Sequence, residues 1–380
     1  MTRPTLDIVL KNNTTSDKAY AHITGLDLNK NNAVFILRAD GHSAYYPASP
    51  KDILNPLEAD CNIPLGLRGS STKVTIPQIA GGRIWFSLEG PLTFLLNPGP
   101  AVVEPSATNP SDPNYNLNWG FCELTYNAAQ LYVNISYVDF VSLPIALQLE
   151  TDDGKVTTVP GFPANALDAV CDALVAQDTD DKAGWSRLIV RAADGKANLR
   201  ALSPNSAMVM NPDLLNTYFQ SHVDSVWKKY RDNDLVVHTQ AEWGDVKGRV
   251  GGDDKLTFEG IGSFARPSTR DIFGCSSGPF AGYPADKAAA MGNIGARLAA
   301  ALNRSTLLSN GRQPEDEMVE AYYQEPETNH YSRICHEVSL EGRGYAFPYD
   351  DVGPANGHDQ SGCLFDSNPK VLTVTVGGAQ

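Results

Sequence analysis

The chain has 380 residues, of which 42% are hydrophobic and only 19% charged, with 32 Gly and 25 Pro; that length predicts two domains and that composition a turn-rich, largely β protein. Thirty basic residues against 44 acidic ones leave a net charge of −14, which argues against nucleic acid or an anionic membrane as partner and suits an uncharged polymer. Apolar runs such as 84–88 and 94–96 fall far short of the roughly 20 residues that span a bilayer.

Residues 6–10 alternate through Asp7 as a first strand, closed by the turn cluster Asn12-Asn-Thr-Thr-Ser-Asp. A second strand is predicted at 33–37. Beyond a Pro-rich connection through Ser49-Pro and Asn55-Pro, residues 73–76 and 83–88 read as a strand pair separated by Gly81-Gly82. A short strand at 94–96 leads into the Pro-, Ser- and Asn-rich run 98–115, a surface loop placed to wall a cleft.

The most informative stretch is 119–147, where β-branched and aromatic residues alternate with small polar ones, as in strands with one buried face. Two strands joined by a tight turn at 127–129 are expected. Glu123 and Asp139 each lie inside an otherwise apolar segment. Paired acids beside aromatics, hydroxyls and amides are what sugar chemistry needs, one to protonate the leaving oxygen and one to activate water or attack. Solvated outward positions explain two strand acids as well. A flat hairpin would also leave Asp139 about 16 Å from the residue opposite Glu123, so the two meet only if the strands curl, bulge or pair with others.

Downstream, residues 163–174 show helical spacing behind a proline, 187–192 form a strand ending at Asp194-Gly195, and Asn211-Pro-Asp opens a long helix. Its buried stripe is Leu214, Leu215, Tyr218, Phe219, Val223, Val226, Trp227 and Tyr230, with Trp227 assigned to the core. Strands at 235–238 and 256–258 flank a hairpin turn at 250–255. An Ala-rich helix spans 284–302, with Arg297 read as a solvated surface charge. From Tyr331 β character returns, and 371–376 is a last strand expected to pair with 6–10 or share its sandwich, making the helical part an insertion.

Cys61, Cys122, Cys171, Cys275, Cys335 and Cys363 form no C-x-x-C pair, so up to three disulfides are possible and a zinc or redox site is not expected, although Cys122 also fits a buried thiol. The scattered histidines suggest no metal set; His336 and His358 read as ordinary surface or core residues. Gly274-Cys-Ser-Ser-Gly278 is not a serine-hydrolase elbow. Neither Asp253-Asp254 nor Asp350-Asp351 has the ligand spacing of a calcium loop. Of the sequons at Asn12, Asn13, Asn134 and Asn303, Asn134 falls in the proposed cleft and is expected to stay bare.

Glu123-Leu-Thr-Tyr-Asn, Tyr-Val-Asn134-Ile-Ser-Tyr-Val-Asp139-Phe, Asp271-Ile-Phe-Gly-Cys275-Ser-Ser-Gly-Pro-Phe, Asn303-Arg-Ser-Thr-Leu-Leu and Gly342-Arg-Gly-Tyr345-Ala-Phe-Pro-Tyr-Asp-Asp351 together resemble glycoside hydrolase family 64, the laminaripentaose-producing β-1,3-glucanases. The resemblance covers most of the chain. It implies a thaumatin-like β-sandwich or barrel, here 1–160 with 338–380, an inserted mixed α/β domain at 161–337, and a wide groove between them. It further implies an inverting hydrolase of linear β-1,3-glucan, with Glu123 as general acid and Asp139 as general base. Thr125, Asn127, Tyr132, Asn134, Asp359 and Gln360 would bind substrate, while Tyr349, Asp350 and Asp351 fit either the cleft or a solvated turn. No cofactor or metal is expected, and a secreted monomer is. The rival expectation is a glucan-binding protein of the same fold without catalysis.

Overall fold

The computed structural model describes residues 1–357 and 359–378 and is mostly β, with several sheets and few helices. His358 lies outside the described residues. Strand Thr5–Asn12 buries Leu6, Ile8 and Leu10 and leaves the residues between them half-buried, the period of a strand with one covered face. It pairs in parallel with Pro369–Val376, Ile8 facing Leu372 and Leu10 facing Val374, as expected of the first and last strands. Ser71–Pro77 on one side and Ile145–Thr151 with Val156–Val159 on the other complete a five-stranded sheet.

A larger, eight-stranded sheet runs Cys363–Asp366, Leu131–Ile135, Asn118–Tyr126, Ile79–Leu88, Ala19–Asp27, Ala33–Leu37 and Ala44–Tyr45, with Ile63–Pro64 also on Ala19–Asp27. Ile84, Phe86, Cys122, Leu124, Val133 and Ile135 join Ile8, Leu10 and Leu372 in one core. The strand Ala19–Asp27 escapes the sequence reading because it is covered on both faces, with a run of buried residues where alternation would be sought. Gly81-Gly82 proves to be no turn. Both glycines lie inside Ile79–Leu88, where the register slips against Asn118–Tyr126 and against Ala19–Asp27, so they make bulges instead.

All the longer helices fall between Ala166 and Val338. Ala166–Asp181 and Ala288–Asn303 stand near their expected places. The helix expected from 211 starts only at Gln220, because Leu215 takes a left-handed φ of 57° and the chain turns there; the intended stripe is nevertheless buried, Trp227 included, except for the half-buried Tyr218. A short helix, Pro204–Met210, capped by Ser203, was not anticipated. Residues from Tyr331 are helical rather than β: Asn329 caps His330–Val338 by accepting from the Ser332 N–H, and Tyr331, Ile334 and Cys335 form its buried face.

Two side chains and the cysteines differ from expectation. Arg297 is buried, not solvated, and donates to the carbonyls of His238 and Asn293 and to Gln240 Oε1. Asp350 is neither cleft nor solvated turn: it is buried against Arg304 at 3.0 Å and His336 at 2.8 Å. The disulfide expectation also fails, since all six cysteines are free and five are buried. They occupy separate surroundings, Cys275 beside Asn303 and Cys363 beside Ser361.

Candidate active site

In the eight-stranded sheet Glu123 stands opposite Arg83 on one neighbouring strand and Asn134 on the other. Directly paired residues project to the same face, so the three side chains form a row. Arg83 Nε donates to Glu123 Oε1 at 3.3 Å, and Arg83 Nη1 is hydrogen-bonded to Glu104. The guanidinium rests on aromatics of the same face, 5.4 Å from the Trp85 ring centroid and 5.0 Å from that of Phe121.

Beside this row the bulges open a recess of about 450 Å³ lined by Gly81, Gly82, Arg83, Glu104, Glu123, Thr125, Tyr132 and Asn134. Gly82 is required by close approach, since a Cβ there would sit 2.9 Å from the Leu124 carbonyl oxygen. Asn134 Oδ1 is buried in the recess wall with no partner in the protein, an acceptor left for something else to satisfy. A larger depression of about 520 Å³ elsewhere holds Asp168 as its one acid; the chemistry, not the volume, distinguishes the recess.

Asp139 arrives by a bend rather than along a strand. The chain leaves Leu131–Ile135, makes a single bridge from Ser136 to Tyr345, and turns at Val138-Asp139 before Phe140–Val141. The Ser203 N–H fixes the bend by donating to the Asp139 carbonyl at 2.9 Å. Burial pushes the Asp139 carboxyl up from 3.8, with Arg83 pulling it back. As a residue Asp139 is exposed, while its carboxyl is partly desolvated by its neighbours. Burial likewise raises Glu104; Arg83 opposes the rise, and the charges of Glu123 and Asp139 add to it. Three carboxyls thus share the field of one cation.

The structure therefore brings Glu123, Thr125, Tyr132 and Asn134 to one recess with Asp139 electrostatically coupled to it through Arg83. Asn127 sits outside it, its Oδ1 accepting from the N–H groups of Ala129 and Gln130 in the hairpin turn. Asp359 lies past the sheet edge, 3.8 Å from Cys363 Sγ and 3.2 Å from Arg343. Gln360 is buried and lines a different depression with Glu317 and Tyr322. Arg83 and Glu104 were missed by sequence reasoning. The sequence shows a lone cation before Ile84 and Trp85 and a lone acid after Ala101-Val-Val, but nothing in it joins either to Glu123. Among the described residues no group of three His, Cys, Asp or Glu is arranged to hold a metal ion.

The glycoside hydrolase 64 family model, described as Beta-1,3-glucanase, matches residues 4–376. Glucan endo-1,3-beta-glucosidases of Cellulosimicrobium cellulans and of Arthrobacter sp. (strain YCWD3) are each 32% identical to this chain over 312 residues, covering 80% of it and 54% of their own length. The chain thus spans about half the length of the curated relatives it matches. The crystal structure of a laminaripentaose-producing beta-1,3-glucanase in complex with laminaritetraose superposes with a TM-score of 0.84 at 31% identity, covering 98% of both chains. A GH64 beta-1,3-glucanase domain from Clostridium beijerinckii shares the fold, with a TM-score of 0.73 at 22% identity over 98% of both chains.

Proposed function

Since the chain belongs to glycoside hydrolase family 64, we propose that it hydrolyses internal β-1,3-glucosidic bonds of linear β-1,3-glucan by an inverting two-carboxylate mechanism, releasing short oligosaccharides such as laminaripentaose. Glu123 donates its proton to the glycosidic oxygen. Asp139 takes a proton from the water that attacks the anomeric carbon from the opposite face. Arg83 fixes the Glu123 carboxyl and keeps the neighbouring carboxylates from repelling each other apart. Thr125, Tyr132 and Asn134 bind sugar hydroxyls, the orphaned Asn134 oxygen accepting from one of them. Asn127 and Asp359 serve the substrate from the hairpin turn and the sheet edge, and Gln360 from its own depression.

The observation that carries the reading is the coupling of Glu123, Asp139 and Glu104 to the single cation Arg83 in an open recess. The laminaritetraose complex of the 31% identical structure supports the substrate. In this reading 1–160 with 338–380 form a thaumatin-like β-sandwich, and 161–337 an α/β insertion forming the far wall of a wide groove. The parallel pairing of Thr5–Asn12 with Pro369–Val376 supports it, as does the pairing of Phe140–Val141 with Asn198–Leu202 where the two parts meet. The enzyme works as a secreted monomer on a polymer too large to be taken up, without membrane or nucleic-acid partners. No helix among the described residues is long and apolar enough to cross a membrane.

The test is incubation of the protein and its Glu123→Gln and Asp139→Asn variants with curdlan or laminarin, reading products by mass and new reducing ends by NMR. The wild type should release short oligomers as α-anomers, and each variant should lose activity by at least about a hundredfold, the usual weight of acid–base catalysis. A wild type that binds the polymer and releases nothing makes this a glucan-binding protein and sinks the catalytic assignments.

A further inference from the structure

The strand Cys363–Asp366 forms the edge of the eight-stranded sheet and sets Cys363 opposite Asn134 and Phe365 opposite Tyr132. The row of Arg83, Glu123 and Asn134 therefore ends at Cys363, and the next row on the same face runs Thr125, Tyr132, Phe365. Thr125 and Tyr132 already line the recess. Phe365 is 64% exposed, the one aromatic ring among the exposed large hydrophobic residues of the described chain. Its neighbour Leu364 is buried on the opposite face, so nothing in the local backbone forces the ring outward except its place in this row. Leaving such a ring in water forgoes about 1.5–3 kcal/mol of burial, and on an edge strand it invites unwanted pairing; its position beside the recess gives it a use.

We propose that Phe365 is a sugar-stacking platform, a subsite on which a β-1,3-glucan chain leaving the Glu123 recess lays the apolar face of a pyranose ring. The inference rests on the recess being a glucan site, and not on its being catalytic. With strands about 4.8 Å apart and residues about 3.3 Å apart along them, two strands and two residues put the Phe365 Cα about 12 Å from that of Glu123. That is a few sugar rings from the bond being cut, so the ring acts in binding and not in chemistry. Polar partners for the sugar's rim stand beside it. The Tyr132 hydroxyl lies 3.4 Å from that of Tyr345, and the exposed Asp359 carboxylate is beside Cys363 on the same edge. A flat apolar face flanked by a few hydroxyl and carboxylate groups is the chemistry that takes a pyranose, whose C–H groups and hydroxyls separate between face and rim.

The experiment uses the whole protein with Phe365 changed to Leu, Ala and Trp. Phe365→Leu keeps an apolar side chain opposite Tyr132 but removes the flat ring. Binding of laminari-oligosaccharides of increasing length is measured by calorimetry in the Glu123→Gln background, and KM and kcat in the active one. Phe365→Leu should weaken binding of the longer oligosaccharides about three- to tenfold, the worth of one aromatic stacking contact. It should spare the shortest, raise KM with kcat unchanged, and leave the melting temperature in place; Phe365→Trp should restore affinity. Unchanged binding and KM in all three variants would overturn the platform while wild-type hydrolysis still upheld the enzyme. Length-dependent loss of binding in a wild type that cleaves nothing would uphold the platform and overturn the enzyme. A parent that binds no oligosaccharide of any length overturns both.

Discussion

Arg83 is the residue on which the electrostatics of the recess turn, because it is hydrogen-bonded to Glu123 and Glu104 and opposes the effect of burial on Asp139. A general base must be ionised to act. Burial raises the Asp139 carboxyl above 3.8 and Arg83 lowers it, so the acidic limb of the kcat/KM profile should lie above pH 3.8 in the wild type. In Arg83→Gln it should lie higher still, with activity at the optimum reduced as well because Glu123 loses its tether; an acidic limb that stays put or moves down would show that Asp139 does not set it. Glu123 and Asp139 were both legible in the sequence, as acids inside apolar segments and through the family motif. Arg83 and Glu104 were not, because a rung of a sheet joins residues 40 apart, 83 and 123, only once register is known. The bulges at Gly82 were likewise hidden, since a glycine pair between two strands reads as a turn unless the neighbours demanding close approach are seen.

At the scale of elements, alternation located Thr5–Asn12 and Pro369–Val376, while Ala19–Asp27, covered on both faces, escaped it. Helix His330–Val338 shows the other failure: it is short and carries Tyr331, Ile334 and Val338, so its composition resembles a strand's. What makes it a helix is Asn329, whose Oδ1 takes the Ser332 N–H at 3.1 Å while its Nδ2 donates to the buried Asn303 Oδ1 at 2.8 Å. Asn329→Ala removes the cap, worth about 1 kcal/mol, and also orphans a buried amide oxygen at about 1–3 kcal/mol. Chemical denaturation should therefore show a loss of about 2–4 kcal/mol, with the variant still turning over glucan at temperatures where it is folded. A loss of only a few tenths would mean that packing of Tyr331, Ile334 and Cys335 holds the helix without its cap.

Over the whole molecule a buried charged cluster adds to the hydrophobic core, and no disulfide cross-links the chain. All six thiols are free and only Cys363 is partly exposed, so a thiol reagent should modify one cysteine in the native protein and six after denaturation, and a reductant should leave the melting temperature unchanged. The charged cluster ties the core together across long separations in sequence. Asp350, fully buried, meets Arg304 after helix Ala288–Asn303, His336 on His330–Val338 and the Ala346 N–H at 2.9 Å. Burial alone would raise its carboxyl, yet His336, Arg304 and that N–H outweigh it and hold it below 3.8. A carboxyl depressed in the folded state gives stability that is present above the unfolded value and lost as pH falls through the folded one. Urea unfolding followed from neutral pH down to pH 3 and below should therefore lose part of its free energy in that acid range. Asp350→Asn should be less stable by about 3–5 kcal/mol near neutrality, because Arg304 and His336 are left buried without their anion, and its stability should fall less steeply in acid. Equal slopes for the two proteins would mean that the cluster keeps its proton count on unfolding, so that Asp350 contributes nothing to the acid dependence of stability.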